Sequence, residues 1–585
     1  MSKYRTHYCD EITTEDVGKR VRISGFVETI RDFGGLVFLD IRDMYGITQV
    51  VTSAESKDVD IISHIPVQSV VTVLGLVRER SEDTINLKLK TGKVEIYIEE
   101  IEILGKRTKS LPFEINSDTN VREDLRLKYR YLDLRSERLR ENLKLRAKVI
   151  QFLRQQMIER DFLEVQTPIL TASSPEGARD YLVPSRLHKG KFYALPQAPQ
   201  QFKQLLMVAG IDKYFQIAPC FRDEDARADR VPGEFYQLDL EMAYSTQEDV
   251  FEIMEPVMYE TFSKFSDKEI SKYPFKRITY KEAMSKYGTD KPDLRNPLEL
   301  VDVTDLFEHI DLKAFAGQIV KIIATHDVKD QPRSFFESMT EYAIKSLKAK
   351  GLAWLRIMDD LSLQGPIAKF IPEDAKLEML KRTASKAGDC IFFIAEYPKT
   401  VNKLAGAVRD ELGKRLGLID NKKIEFCWIT DFPMYDYDER GKLVFCHNPF
   451  SMPQGGLQAL DAKDPLTILA YQYDLVCNGI ELASGAVRNH DPEIMVKAFE
   501  KVGYDREYIE TKFIAMFSAF QFGAPPHAGI APGIDRMLMI LTDSDSIREV
   551  IAFPLSGKAE DLMMMAPSTA TDEQLKELHL KIVDL

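Results

Sequence analysis

The chain has 585 residues, of which 44% are hydrophobic and 29% charged, and its formal net charge is −13. At roughly 150 residues per domain, this length predicts three or four domains, and the composition excludes wholesale disorder. No run of 18 or more apolar residues and no apolar signal-peptide core occurs in the sequence. We therefore expect a soluble, cytoplasmic protein with no membrane partner.

The six cysteines are scattered without a CxxC pair, which argues against a disulfide framework and a zinc knuckle. Because the net charge repels nucleic acid, an RNA partner would have to meet local basic surface. Residues 122–148 contain ten Lys and Arg against five Asp and Glu. This excess is compatible with RNA binding and also with an ordinary solvated helix face.

Residues 19–104 contain five runs in which apolar and polar residues alternate, with Gly, Asp or Ser between the runs. Such alternation is typical of half-buried strands, and five strands in this span predict a small barrel of the OB-fold kind. An OB-fold binds single-stranded nucleic acid by stacking bases on aromatic rings, for which Phe33 and Phe38 are candidates. Barrels also bury aromatic rings, so from the residues alone core packing stays the alternative.

An amphipathic helix that ends near Asp161 is predicted by apolar residues at helical spacing, namely Leu139, Leu143, Ile150, Leu153 and Met157. The run FLEVQTPIL follows, and Pro168 within it limits this run to an edge or boundary strand. From about 296 to 418 helical patterns mix with apolar strands such as DCIFFIAEY. Because strand patterns resume at IEFCWITDF, we interpret this stretch as an insertion into a central domain.

The phosphate loop GxxxxGK[ST] and a strand-linked GxGxxG are both absent from the sequence. The segment FRDEDARADRVPGEFYQLDLEMAY instead predicts a strand, a charged loop and a second strand. Residues two apart share one face of a strand, so Phe235, Gln237, Asp239 and Glu241 are expected to project together. This row could line a site for adenosine and an amino acid, or it could belong to a solvated charged hairpin.

The segment GAPPHAGIAPGIDRMLMIL places Asp535 and Arg536 at the start of an apolar helical run. An arginine near a helix N-terminus is suited to anionic phosphates. Together with the preceding segment it resembles motifs 2 and 3 of the class II aminoacyl-tRNA synthetases. FLEVQTP, closing at Pro168, resembles motif 1, which forms the dimer interface in that family, so the resemblance implies a homodimer.

Four further segments resemble the bacterial type of aspartyl-tRNA synthetase: SSPEGARDY (173–181), QAPQQFKQLLM (197–207), HNPFS (447–451) and ELASGAVRNHD (481–491). The resemblance covers nearly the whole chain and implies an α+β multidomain fold. It implies an N-terminal OB-fold β-barrel for the anticodon (1–107), a hinge (108–137) and a class II catalytic domain on an antiparallel sheet (138–290 and 419–556). An inserted α+β GAD domain (291–418) and a C-terminal extension (557–585) complete the expected organisation.

The implied reaction joins L-aspartate to ATP as aspartyl-adenylate and then transfers the aspartyl group to its tRNA, with Mg²⁺ as cofactor. The resemblance gives Arg222 and Arg536 the catalytic role of holding phosphates. It implies ATP binding by Arg222, Glu224, Phe235, Gln237, Glu481 and Arg536, with the adenine between Phe235 and Arg536. Aspartate binding is implied for Glu176, Gln200, Lys203, Asp239, His447 and Arg488. Metal binding is implied for Asp474 and Glu481, and anticodon binding for Phe38, Gln49 and Glu95.

The sequence departs from the family pattern at several positions. Ala198 replaces a serine that could bind the substrate ammonium, and Asn448 replaces a second histidine. In the barrel, non-discriminating enzymes often have histidine near Phe33, which favours a protein that uses only tRNA for aspartate. An asparaginyl-tRNA synthetase and a catalytically idle RNA-binding relative are the alternatives, but the first should lack both the insert and the pair of Lys203 with Arg488.

Overall fold

A computed structural model describes residues 2–34, 36–53, 55–116, 121–173, 178–226, 228, 230, 232–308, 312 and 314–583. The chain forms two compact units. The N-terminal unit comprises residues 1–125 with 135–140, and the main unit comprises residues 126–134 with 141–585. Across these described ranges no helix is both long and apolar enough to span a membrane.

The N-terminal unit is built on a closed five-stranded barrel, which confirms the predicted OB-type architecture. Its strands are β1 (Arg20–Asp32), β2 (Val37–Arg42), β3 (Ile47–Thr52), β4 (Val70–Glu79) and β5 (Val94–Gly105), with helix α1 (Val59–Ser63) before β4. The order around the barrel is β1-β2-β3-β5-β4, and only β3 and β5 pair in parallel. Alternate residues of every strand point inward and form one apolar core, as the alternating sequence pattern predicts.

Helices and short strands precede the central sheet. They are α2 (Glu123–Lys128), α3 (Arg130–Asp133), α4 (Glu137–Ile158), β6 (Leu163–Glu164), β7 (Leu182–Pro184), β8 (Phe192–Ala194) and α5 (Gln200–Val208). The predicted amphipathic helix is α4, which ends three residues before Asp161. Asp161 adopts a left-handed φ of 64° that ends helical geometry. Of the FLEVQTPIL run only two residues form a strand, β6, at the edge of the sheet as Pro168 predicts.

The next segment begins with β9 (Lys213–Arg222), β10 (Gly233–Ala243), α6 (Gln247–Phe265), β11 (Glu269–Ile270), β12 (Lys276–Thr279) and α7 (Tyr280–Lys286). After the insert the chain continues with β18 (Lys423–Ile424), β19 (Phe426–Thr430), β20 (Phe432–Pro433), β21 (Tyr435–Tyr437), β22 (Leu443–Phe445), α12 (Gly456–Ala462), β23 (Leu469–Ala470), β24 (Gln472–Cys477) and β25 (Ile480–Val487). The last elements are α13 (Pro492–Lys501), α14 (Arg506–Lys512), α15 (Ile514–Gln521), β26 (His527–Pro532), α16 (Ile534–Leu541) and α17 (Asp572–Glu577).

An eight-stranded sheet forms the centre of the main unit, in the order β12-β19-β24-β25-β26-β10-β9-β6. The six inner strands are antiparallel, and only the two edge strands pair in parallel. Helices α4, α6 and α16 cover one face with the largest apolar cluster of the chain. The opposite face carries the polar row of β10, so the sheet separates a hydrophobic core from a polar surface.

Residues 300–415 form a layer of helices and a sheet of their own, distinct from the central sheet. Its elements are β13 (Leu300–Asp302), α8 (Thr304–Phe307), β14 (Ile319–Thr325), α9 (Arg333–Lys345), β15 (Ala353–Ile357), β16 (Leu363–Gln364), α10 (Glu373–Thr383), β17 (Cys390–Glu396) and α11 (Pro398–Arg415). The five strands are antiparallel in the order β13-β14-β17-β15-β16. Two separate apolar clusters contain side chains of successive residues in β14 and β17, so this sheet is covered on both faces.

Candidate active site

A cavity of about 330 Å³ opens on the polar face of the central sheet. It is walled by β9, β10, β25, helix α5, the loop after β22 and the start of α16. The expected substrate residues that meet in it are Gln200, Lys203, Arg222, Glu224, Phe235, Gln237, Asp239, His447, Glu481, Arg488 and Arg536. Glu176 lies outside the described residues. Segments more than 300 residues apart in sequence therefore converge on one site.

Strand β10 supplies the floor of the cavity through its alternation. Phe235, Gln237 and Asp239 line the cavity, and Glu241 continues the row with no exposed surface. Leu238 and Leu240 point to the opposite face and pack in the core under α16. Ten cross-strand pairs between β10 and β9 hold this register. The expected shared face of the row is thus present.

Four fully buried charged side chains form an ion-pair cluster at one end of the cavity. Lys203 Nζ lies 2.6 Å from Asp239 Oδ1 and 3.5 Å from Glu241 Oε2. Arg488 donates two hydrogen bonds to Glu241, at 2.8 and 3.1 Å. We call Lys203, Asp239, Glu241 and Arg488 the charge quartet. Two cations and two carboxylates make it electrically neutral.

Burial acts differently on the two carboxyl groups of the quartet. Burial raises the pKa of Asp239, and the nearby Lys203 ammonium only partly opposes this effect. Burial also disfavours ionised Glu241, but Arg488 and Lys203 outweigh it and hold the pKa of Glu241 below its usual value. The Oδ2 atom of Asp239 is buried and has no hydrogen-bond partner within the described part of the chain. An unsatisfied acceptor in this position can receive a donor from a ligand.

Gly529 in β26 makes the close packing of the quartet possible. A Cβ atom at this position would lie 2.2 Å from Glu241 Oε2 and 2.2 Å from the carbonyl oxygen of Leu240. Both distances are far inside van der Waals contact, so any side chain would displace the carboxylate. The absence of a side chain at Gly529 therefore allows Glu241 to lie within hydrogen-bond distance of Arg488.

The other end of the cavity is rich in arginine and aromatic groups. The Arg222 guanidinium lies 5.0 Å from the centre of the Phe235 ring, close enough for cation–π attraction. Arg536 donates to the Glu481 carbonyl oxygen at 2.7 Å, and Arg230 pairs with Glu224. The resemblance implies an adenine between Phe235 and Arg536, and in the structure the Arg222 guanidinium lies over one face of the Phe235 ring. An adenine stacked on the Phe235 face that Arg222 covers would have to displace the Arg222 guanidinium.

Helix α16 is fixed to the floor of the cavity by Asp535, which is 2% exposed. Its carboxylate accepts the backbone N–H of Tyr236 at 3.1 Å and pairs with Arg146 of helix α4. The neighbouring residue Arg536 is thereby held at the first turn of α16, where the helix dipole also favours anions. Arg146 belongs to the basic stretch 122–148, so part of that local excess of charge is used inside the protein.

Two carboxylates, Asp474 and Glu481, lie close together on β24 and β25. Burial raises the pKa of Asp474 well above its usual value, and the charge of Glu481 raises it further. Glu481 pairs with Lys291 at 2.9 Å, and the cations Lys291 and Arg536 lower its pKa against the effect of burial. The Oδ1 atom of Asp474 is buried without a hydrogen-bond partner among the described residues. An orphaned carboxylate oxygen beside a second carboxylate fits a cation.

Within the described ranges, no group of three or more His, Cys, Asp or Glu side chains could hold a metal ion on protein ligands alone. Mg²⁺ does not require such a group, because it commonly binds one or two carboxylates together with waters and substrate phosphates. The pair of Asp474 and Glu481 fits this second kind of site.

The positions that depart from the family pattern also line the cavity. Ala198 and Asn448 are both part of its wall. Asn448 Oδ1 accepts the backbone N–H of Phe450 at 2.9 Å, so this side chain shapes the loop after β22. His447 in the same loop packs edge-to-face on Phe432, with ring centres 4.8 Å apart. Asn448 thus has a local structural role that a histidine would fill differently.

The expected anticodon residues cluster on one face of the barrel in the N-terminal unit. Gln49 donates to Glu95 at 2.9 Å and accepts from Arg31 at 3.1 Å. Phe38 is half-buried and meets Phe33, which is 69% exposed, at a ring distance of 6.0 Å in a T-shaped arrangement. This face offers an accessible ring beside a hydrogen-bonded polar row.

Several residues that build the site were not singled out as binding residues by the sequence. Lys291 follows α7 and carries no motif that marks it. Gln204 stands one helical turn after Gln200, a spacing that could have identified it. His527 lies eight residues before Asp535, in the segment whose arginine marked it as a phosphate site. Their contacts, Lys291 with Glu481 and Gln204 with His527, join elements that are distant in sequence.

Comparisons with known proteins agree with this geometry. Residues 122–557 match the family described as tRNA synthetases class II (D, K and N), and residues 21–104 match the OB-fold nucleic acid binding domain. The chain is 55% identical to an aspartate-tRNA ligase of Streptomyces coelicolor, over 100% of this chain and 99% of that protein. It is also 55% identical to an aspartate-tRNA(Asp/Asn) ligase of Rickettsia bellii, over 100% of this chain and 98% of that protein.

The fold is also shared with a solved structure described as aspartyl tRNA synthetase from Entamoeba histolytica. The TM-score is 0.59 at 20% identity, over 95% of this chain and 93% of that chain. At this identity the likeness concerns the fold alone, an OB barrel with a class II catalytic domain. The family match spans most of the chain and includes the whole cavity, and the relatives match over their full lengths. The chain belongs to the class II aminoacyl-tRNA synthetases of the D, K and N group.

Proposed function

We propose that this enzyme attaches L-aspartate to tRNA in two steps, through an aspartyl-adenylate. The observation that carries the proposal is the charge quartet, because it offers buried, fixed charges of both signs beside the cavity. Full-length relatives at 55% identity that are named aspartate-tRNA ligases support the same choice. Since the quartet is neutral, it suits a substrate that carries both a cation and anions.

In this proposal Arg488 and Lys203 bind the side-chain carboxylate of aspartate. A forked guanidinium and an ammonium favour a carboxylate over the neutral amide of asparagine, because hydrogen bonds between charged groups are stronger than those to a neutral acceptor. The substrate ammonium faces Asp239, whose Oδ2 lacks a partner among the described residues, and Gln200. Glu176, which lies outside the described residues, stays a further expected ligand of aspartate, and His447 also lines the cavity.

In the first step, a carboxylate oxygen of aspartate attacks the α-phosphorus of ATP and the bond to pyrophosphate breaks. The attacking group belongs to the substrate, so the protein needs to supply position and positive charge rather than a nucleophile. Arg222 and Arg536 are the cations at this end of the cavity. Phe235, Gln237 and Glu224 are placed to bind the adenosine.

Asp474 and Glu481 would hold Mg²⁺, which when bound neutralises charge on the phosphates. Lys291 already pairs with Glu481 and keeps that carboxylate ionised. The protein's own contribution is therefore to hold two oxygens in place and to keep a compensating cation beside them.

In the second step, a hydroxyl of the terminal adenosine of the tRNA attacks the aspartyl carbonyl and AMP leaves. We propose that the barrel face with Phe38, Gln49 and Glu95 binds the anticodon, with bases stacking on the Phe38 ring. Exposed apolar side chains at Leu163, within the segment that resembles motif 1, and at Ile169 and Leu170, directly after it, support a homodimer.

Pyrophosphate exchange tests the first step directly. Labelled pyrophosphate should enter ATP when L-aspartate is present and not when L-asparagine replaces it. Exchange with asparagine alone would refute the proposed amino acid, and no exchange with either would favour an idle relative. The presence of Arg222, Glu481 and Arg536 in the quartet's own cavity argues against decay.

Aminoacylation of purified tRNA for aspartate and tRNA for asparagine, run in parallel, tests the range of tRNA partners. From Phe33 we expect only the first to be charged. Relatives with names of both kinds occur at 55% identity, so the comparisons do not separate the two outcomes. Charging of both tRNAs would overturn the inference from Phe33 while leaving the amino-acid assignment intact.

A further inference from the structure

A chain of hydrogen bonds connects the cavity to the start of β26. Gln200 Nε2 donates to Gln204 Oε1 at 2.9 Å, and Gln204 Nε2 lies 2.9 Å from His527 Nε2. His527 Nδ1 lies 2.8 Å from the carbonyl oxygen of Pro525. Gln200 is 5% exposed, and the other two side chains are completely buried. Of these residues only Gln200 lines the cavity.

The direction of every bond in this chain follows from its far end. A carbonyl oxygen can only accept, so His527 must carry its proton on Nδ1. Burial lowers the pKa of His527, which keeps the ring neutral and leaves Nε2 as an acceptor. Gln204 must then donate its NH₂ group to Nε2 and turn its oxygen toward Gln200. Gln200 in turn must use its NH₂ group toward Gln204.

We propose that Gln204 and His527 are positioning residues that fix the Gln200 amide so that its oxygen, not its nitrogen, serves the substrate ammonium. The proposal rests on the proposed function, since it takes the ligand of this pocket to be aspartate. An amide is ambiguous by itself, because its two ends are similar in size and opposite in hydrogen-bonding character. The backbone carbonyl of Pro525 removes the ambiguity, because a carbonyl oxygen can act only as a hydrogen-bond acceptor.

The opposite orientation would be unfavourable for the substrate. If Nε2 of His527 could not accept, Gln204 could rotate its amide and present NH₂ to Gln200. Gln200 would then accept from Gln204 and turn its own NH₂ group to the cavity. Two N–H dipoles would face an ammonium that offers only donors. Aspartate binding would weaken, while the nucleotide end of the cavity would keep its contacts.

Two substitutions at position 527 separate positioning from packing. His527→Phe keeps a ring of similar volume but removes the acceptor. His527→Gln supplies a side-chain oxygen near the position of Nε2 and acts as the conservative rescue. The measurement is aspartate-dependent pyrophosphate exchange, with separate KM values for aspartate and for ATP and with a thermal unfolding midpoint for each variant.

We expect His527→Phe to raise the KM for aspartate about tenfold or more, which corresponds to about 1.4 kcal/mol. The KM for ATP should change less than about twofold, and His527→Gln should recover most of the loss. Gln204→Met breaks the chain of hydrogen bonds at its middle and leaves His527 in place. It should likewise raise the KM for aspartate and leave the KM for ATP nearly unchanged. It also provides the test if the phenylalanine variant does not fold.

An unchanged KM for aspartate in these variants, or equal increases in the KM values for aspartate and ATP, would overturn the proposed positioning role of Gln204 and His527. A wild-type protein with no aspartate-dependent exchange would instead overturn the proposed function. The double variant His527→Phe with Gln204→Met supplies a further criterion. The KM for aspartate of this double variant should be no higher than that of either single variant, because one broken hydrogen bond already frees the Gln200 amide. An additive increase in this KM would contradict a single connected chain.

Discussion

Removing the Arg488 guanidinium should damage both folding and aspartate binding, and the structure allows the two effects to be separated. In Arg488→Met, Glu241 remains buried, and Lys203 at 3.5 Å is its one remaining ion-pair partner among the described residues. Breaking one side of a buried ion pair costs about 3–5 kcal/mol, so the variant should unfold at clearly lower urea concentration. Loss of activity in this variant alone would therefore not identify the aspartate ligand.

The double variant Arg488→Met with Glu241→Gln removes the stranded charge. Lys203 keeps its 2.6 Å contact with Asp239, so the remaining pair is still balanced. Replacing a buried ion pair as a whole is often nearly neutral, and we expect most of the 3–5 kcal/mol to return. Aspartate activation should stay lost, since about 3 kcal/mol of charged hydrogen bonding corresponds to a drop of about 150-fold in kcat/KM.

Urea unfolding and aspartate-dependent pyrophosphate exchange, measured on the same preparations, separate the loss of stability from the loss of aspartate binding. Arg409→Met is a matched control, because Arg409 is a fully buried arginine of the insert that donates to the carbonyl oxygens of Leu298 and Asn296. It should lower stability and leave the KM for aspartate unchanged. Recovery of exchange in the double variant would refute Arg488 as the carboxylate ligand, and persistent instability would refute the role given to Glu241.

Three further predictions concern other parts of the enzyme. Lys291→Met removes the ammonium that pairs with Glu481, so the Mg²⁺ concentration for half-maximal exchange should fall severalfold; a rise would contradict competition between lysine and the cation. Asp535→Asn loses its ionic pairing with Arg146 and should lower the free energy of unfolding by about 1.5–3 kcal/mol in urea titrations, with a higher KM for ATP. An unchanged urea midpoint would show that this contact contributes little. Phe38→Ala should raise the KM for tRNA by the equivalent of about 1–3 kcal/mol in aminoacylation, and equal damage to tRNA-free pyrophosphate exchange would rule out a role confined to the anticodon.

The sequence was most informative where function follows from local periodicity. Alternation along β10 placed Phe235, Gln237 and Asp239 on one face, and the start of α16 placed Arg536 at a helix N-terminus. Both features depend on residues within a few positions of each other, which is the range that periodicity reports. The five-strand pattern of the barrel was readable for the same reason.

The remaining features of the site depend on contacts between distant segments. Arg488 meets Glu241 across 247 positions, and Gln204 meets His527 across 323. Single-sequence patterns carry no signal for such pairs, so Glu241 was predicted to share the face of β10 but not to hold an arginine. The ring contact of Arg222 with Phe235 could not be predicted either, because it depends on the side-chain rotamers of two residues on neighbouring strands.

The ten-pair register of β10 against β9 has a consequence for how a damaged enzyme would behave. A slip of one residue would turn every side chain of β10 to the opposite face, exchanging the row of Phe235, Gln237 and Asp239 for Tyr236 and Leu238. A molecule misassembled in this way would be inactive, because Phe235, Gln237 and Asp239 would leave the cavity together. In a heated or mutated sample, the fall in specific activity should therefore be proportional to the fraction of inactive molecules. The correctly folded molecules should keep their normal KM for aspartate.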